Sequence, residues 1–151
     1  MFDTTAYAAL PDPDRQAEFY ADIAVKRLFA WIIDSVLISL LCLLILPFTA
    51  FTALFFFPLF YLVIGFAYRV VTIANRSATW GMRLVAVEMR TQRGAPLGFG
   101  TAVLHTLGYS LSLSFVLPQV ISVVLMLTTP RAQGLTDMLL GTVTMNRAAR
   151  F

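Results

Sequence analysis

This sequence predicts an all-α membrane protein with two transmembrane helices, a proline-broken third apolar segment and a small cytoplasmic strand pair. Three observations predict it. Hydrophobic residues fill 59% of the 151 positions and charged residues only 13%, against about 25% charged in soluble domains, so a water-soluble core of this size has no use for so much apolar surface. The apolar residues gather at 28–50, 51–73 and 101–129, each stretch reaching the roughly 20 residues that cross a bilayer. The basic residues bracket those stretches rather than forming one basic face. That pattern reads as membrane topology and excludes nucleic acid as a partner.

Residues 1–25 read as a polar cytoplasmic leader. Asp3, Asp12, Asp14, Glu18 and Asp22 precede any apolar run, the opposite of the cationic start of a secretory signal. "PDPD" at 11–14 breaks regular structure, and 15–25 is expected as a short helix at the membrane surface. Lys26 and Arg27 open the first span, and Pro47 ends it. The connection "PFTAFT" at 47–52 carries no charge. A second span starts near Thr52, with Pro58 either kinking or restarting the helix. Arg69, Arg76, Arg83, Arg90 and Arg93 lie at or beyond its end, which places the N-terminus and the 74–98 loop in the cytoplasm. The Phe-rich "FTALFFFPLFYLVIGF" is a lipid-facing surface on which Gly65 and Ala67 offer a small spot for helix contact.

The third stretch admits two readings. As one helix, 101–129 is roughly 44 Å long at 1.5 Å per residue, well beyond a hydrocarbon thickness of about 30 Å. One span also sends Arg131, Arg147 and Arg150 outside, against the charge rule. Two shorter helices meeting near Pro118 and Gln119 return all three to the cytoplasm, but each is only about 21 Å long, as in a re-entrant hairpin. Period-two alternation in "RLVAVEMRT" (83–91) and "GTVTMNR" (141–147) favours that return, because two such strands pair only from the same side. Residues 26–147 then form the membrane domain, and 148–151 a short basic tail.

The intramembrane charges are the candidate site. Arg27 and Asp34 are two helical turns apart and share one stripe, yet the axial offset of about 10.5 Å makes a direct bond unfavourable. An isolated aspartate in mid-span costs about 2.5–3.5 kcal/mol on insertion scales, so Asp34 is expected to be compensated. It is either a packing staple paired with Arg69 or Arg83, or a protonatable or cation-binding carboxylate on a polar pathway. Asp137 follows Gly134 and Thr136 and suits the start of a short interfacial helix. His105 opens the third stretch as an interfacial hydrogen-bonding residue or a titrating one, imidazole being the side chain that ordinarily changes charge near neutral pH. Ser110, Ser112 and Ser114 suit interhelical hydrogen bonds.

No GxSxG, GxxxxGK[ST], HExxH or CxxC pattern occurs, and Cys42 is the lone cysteine. The sequence therefore predicts no enzyme, no cofactor and no metal centre.

"RLFAWIID" at 27–34 and "LTDMLLGT" at 135–142, joined by "ATWGMRLVAVEMRTQRGAPLGFGTAVL" at 78–104, resemble the RDD family of bacterial membrane proteins, named for one arginine and two aspartates. On that resemblance the three are Arg27, Asp34 and Asp137. Trp80 and Met82 stand where the family usually has Leu and Lys, Leu140 where a small residue is common, and His105 where an arginine is frequent. The resemblance covers roughly 24–147. It implies a bacterial cytoplasmic membrane and a role in transport, with some members resembling sodium/proton antiporters.

Two functions follow as expectations. In the first, a self-associating inner-membrane protein moves a monovalent cation or proton, with Asp34 exchanging and Arg27 and Asp137 setting its charge state. In the second, a non-transporting scaffold or accessory subunit uses the same three residues to lock its helices, and the strand pair docks another membrane protein.

Overall fold

The computed structural model describes residues 4–147; the basic tail with Arg150, and the first three leader residues, lie outside the described residues. Helix α1 spans Ile23–Ile45 and buries Ala30, Asp34, Ile38 and Cys42. That four-residue spacing keeps one stripe facing inward. Leu28, Phe29, Ile32, Val36 and Leu40 are exposed on the same helix, a surface suited to lipid and not to water. Asp34 thus occupies the one face of α1 that meets protein.

Pro47 sits in a 3₁₀ turn, Leu46–Thr49, directly after α1. Ala50 and Phe51 then adopt left-handed backbone, φ 52° and 63°, and reverse the chain. A second 3₁₀ turn, Thr52–Phe56, leads into α2, Phe57–Arg76. Pro58 falls in the first turn of α2, where its missing N–H has no helical partner to lose, so it restarts the helix and does not kink it. Together with their flanking turns, Ala17–Thr49 and Thr52–Arg76 are long and apolar enough to cross a membrane. Phe55 and Phe56 are exposed, while Gly65 is buried against Ile38 of α1.

After α2 the chain departs from the expected strand at 83–91. Ser77 turns left-handed and Thr79 caps a five-residue helix α3, Trp80–Leu84, its hydroxyl accepting from the Met82 N–H at 3.2 Å. Ala86, at φ 57°, ends that helix and starts β1, Val87–Thr91. The alternation of "RLVAVEMRT" therefore marks a strand only in its second half. Strand β2, Thr142–Asn146, pairs antiparallel with β1, Val87 opposite Asn146 and Thr91 opposite Thr142. Side chains opposite each other in a sheet share a face, so Thr142 and Thr144 lie on the side of the buried Val87 and Met89. Val143 and Met145 face the other way and are covered by Leu10 and Tyr20.

The leader is thus packed on the domain and is not a surface helix. Within 15–25 only Ala17–Phe19 forms a 3₁₀ turn, because Asp22 takes a left-handed φ of 57° just before α1. The Asn146 amide donates to the Glu18 carbonyl at 2.7 Å and the Ala21 carbonyl at 3.0 Å, and Lys26 Nζ donates to Asn146 Oδ1 at 2.7 Å. The end of β2 is therefore tied to both leader and α1.

The third apolar stretch is a bent pair. Helices α4, Phe99–Ser114, and α5, Val116–Thr128, meet at 116°, so a single straight span is excluded. The break falls at Phe115 in extended backbone, three residues before the expected Pro118. Pro118 instead sits in the first turn of α5, where proline is tolerated. The Ser112 hydroxyl donates across the bend to Gln119 Oε1 at 3.1 Å. Ser110 and Ser114, by contrast, donate to carbonyls of their own helix. A six-residue helix α6, Leu135–Leu140, returns the chain to β2.

Candidate functional site: two carboxylates on one cavity

Asp34 is 1% exposed and ties α1 to the chain that follows α2. Its Oδ1 accepts from the Tyr68 hydroxyl at 2.7 Å and the Gly81 N–H at 2.9 Å, and its Oδ2 from the Thr79 hydroxyl at 2.6 Å. Arg69 Nη1 stands 3.8 Å from Oδ2, an ion pair beyond hydrogen-bond length. A Cβ on Gly81 would sit 2.3 Å from the Ala30 carbonyl oxygen and 2.8 Å from Asp34 Oδ1. Only glycine lets α3 come this close to α1.

Asp137 is fully buried in the first turn of α6. Its Oδ2 contacts Arg27 Nη1 directly and accepts from the Gly134 N–H at 3.0 Å. Its Oδ1 lies 2.9 Å from His105 Nε2 and accepts from the Thr142 hydroxyl at 2.9 Å. A carboxylate only accepts, so the histidine contact requires the proton on Nε2. Arg27 also donates to Thr144 Oγ1 at 3.2 Å. Burial alone would raise the Asp137 pKa, but the Arg27 guanidinium and the His105 N–H outweigh it and hold the carboxyl well below the usual carboxylate range.

The structure thus separates two residues that sequence spacing put on one stripe. Arg27 pairs with Asp137, 110 residues away, and Asp34 is left to Arg69. Among the described residues Arg83 makes no ion pair with either aspartate; its guanidinium lies 5.8 Å from the centroid of the Trp80 ring. Both centres nevertheless open on one cavity of about 490 Å³ between α1, α2, α4, α5 and α6, whose wall includes Arg27, Asp34, Arg69, His105 and Asp137. The buried Thr106 hydroxyl, on the same wall, has no hydrogen-bond partner among the described residues. Among the described residues no group of three or more His, Cys, Asp or Glu side chains is placed to hold a metal.

Sequence reasoning missed Tyr68, Thr79 and Gly81 around Asp34, and Thr142 and Thr144 around Asp137. None is ionisable near neutral pH, so a search for charge passes over them. The available signal was local: Thr79 with its short helix is a capping pattern, and Thr142 and Thr144 are the polar half of an alternating strand.

The family model described as the RDD family matches residues 22–141. No curated protein and no solved structure matches the chain. With most of its length matched, the chain belongs to the RDD family.

Proposed function

We propose that this RDD-family membrane protein exchanges protons for a monovalent cation, with Asp34 as the carboxylate that changes partners and Arg69 as its resident counter-charge. The observation that supports this is an asymmetry. Asp137 is in direct contact with Arg27, whereas Asp34 keeps its guanidinium at 3.8 Å, without a hydrogen bond. A proton or a small cation entering the cavity competes with Arg69 for Asp34 Oδ2 more readily than with a contacting guanidinium. Arg27 and Asp137 neutralise each other and frame the site, so their influence on Asp34 acts across the cavity.

We place it in a bacterial cytoplasmic membrane, and the distribution of arginines favours a leader and strand pair in the cytoplasm. Self-association supplies the wall that so few helices leave open. The role is non-enzymatic. In proteoliposomes with a pH-sensitive dye, a cation gradient is expected to drive proton movement in the parent, and Asp34→Asn to abolish it in a protein that still folds. Full activity in the variant overturns the assignment of Asp34.

A second reading is supported by the saturation of Asp34. Three donors from α2 and the α3 region hold it, as a scaffold needs. A well-reconstituted parent that moves no protons favours that reading and makes Asp34 a staple.

A further inference from the structure

The geometry points to a gate between two cavities, closed by Tyr109 and held shut through the Asp34–Arg69 ion pair. This inference rests on the exchange reading above. A second cavity of about 270 Å³ lies between α1, α2 and α4, and Trp31, Arg69, Tyr109 and Leu113 line both spaces. The side chains of Trp31, Tyr109 and Arg69 contact one another where the two spaces meet, and side chains rotate where helix backbone does not.

Three of those side chains are joined in series. Trp31 Nε1 donates to the Tyr109 hydroxyl at 2.6 Å, the Arg69 guanidinium carbon sits 4.4 Å from the centroid of the Tyr109 ring, and Arg69 Nη1 reaches Asp34 Oδ2 at 3.8 Å. The last link alone depends on a full negative charge. While Asp34 is ionised and otherwise unoccupied, Arg69 is drawn to it and lies across the tyrosine ring. When a proton or a monovalent cation neutralises Asp34, that attraction is lost, and Arg69 and Tyr109 are free to swing out of the partition.

The groups that face this switch are few. Asp34 meets Tyr68 and Arg69 from α2 and Thr79 and Gly81 from α3, and Arg69 meets Tyr109 from α4. On the far wall of the first cavity Arg27 and His105 each bond Asp137. Beyond the partition, Ser35, Tyr61 and Ser110 line the second cavity, and hydroxyl oxygens are ligands suited to a hard cation. Ser35 and Ser110 already donate to carbonyls of their own helices at 2.8 Å, which leaves their oxygen lone pairs for such an ion.

Water access tests the gate without any need for transport. In a Cys42→Ala background, one cysteine is placed beyond the partition, Ser110→Cys, and a control before it, Ala24→Cys. A small cationic methanethiosulfonate is then applied to proteoliposomes from the strand-pair face. Tyr109→Ala and Asp34→Asn are each expected to speed labelling at Ser110→Cys at least tenfold while leaving Ala24→Cys unchanged. Tyr109→Phe keeps the ring but loses the bond to Trp31, and a two- to threefold rise is expected should the alanine variant fail to fold. Labelling at Ser110→Cys that ignores Tyr109 and Asp34 alike overturns the gate even if exchange depends on Asp34. The expected labelling with no cation-driven proton flux supports the gate and overturns the exchange reading instead.

Discussion

Asp34 and Asp137 are the same residue, equally buried, on the wall of one cavity, and they are held by different physics. Asp137 has a contacting guanidinium, an imidazole N–H, a hydroxyl and a backbone N–H, from α1, α4, β2 and its own turn. Asp34 has two hydroxyls and a backbone N–H at contact, and its cation stands off at 3.8 Å. The first arrangement welds distant segments together. In the second, the neutral donors fix the carboxylate and leave its charge loosely answered. Burial does not distinguish the two acids; the distance to the counter-charge does.

The sharpest way to break this contrast is to remove the two arginines in turn. Arg27→Ala leaves Asp137 buried without its guanidinium and is expected to cost about 3–5 kcal/mol, the usual penalty for breaking a buried pair. Arg69→Ala is expected to cost less than half as much. Unfolding of the purified protein in detergent, followed by temperature or denaturant, checks the order; equal losses would make the two centres equivalent. Next in size is Gly81→Ala, which drives a Cβ into the Ala30 carbonyl and the Asp34 carboxylate. We expect about 1–3 kcal/mol of overpacking together with loss of the proposed exchange, whereas Gly98→Ala, which meets nothing within 4 Å, is expected to be near neutral.

The smallest effect concerns pH. The carboxyl of Asp137 is depressed in the folded protein, so its stabilisation is complete above its ordinary value of 3.8 and is lost as pH falls through the lower folded value. Stability is therefore expected to be insensitive to Asp137 from neutral pH down to about 4.5 and to decline below about 4. Asp137→Asn removes that acid slope, which a series of melting curves would show directly.

Much of this contrast was legible in the sequence. Asp34, Arg27 and Asp137 stand out because charge in an apolar run is costly, and the helix rise, not its period, told against an Arg27–Asp34 bond. Arg69 was one of two partners reasoned for Asp34 from position alone. Pairing Arg27 with Asp137 was not legible, since nothing local links residues so far apart in the chain. The break at Phe115 was hidden by Pro118, a residue that reads as a helix breaker yet sits unstrained in a first turn. The leader misled in another way: a short surface helix was expected over 15–25, but Asp22 turns left-handed and the leader covers the apolar back of β2. The threonines of β2 look like a solvent face until a buried charge turns out to lie beneath them.

The separation of Arg27 from Asp137 by 110 residues has a consequence for biosynthesis. At roughly 5–20 residues per second, the ribosome delivers Asp137 about 6–22 seconds after Arg27. Through that interval the guanidinium lacks its partner. Asp34 is supplied much sooner, because Tyr68, Thr79 and Gly81 follow it by 34, 45 and 47 residues. The nascent chain thus closes its loosely countered carboxylate first and its tight lock last, when α6 and β2 arrive.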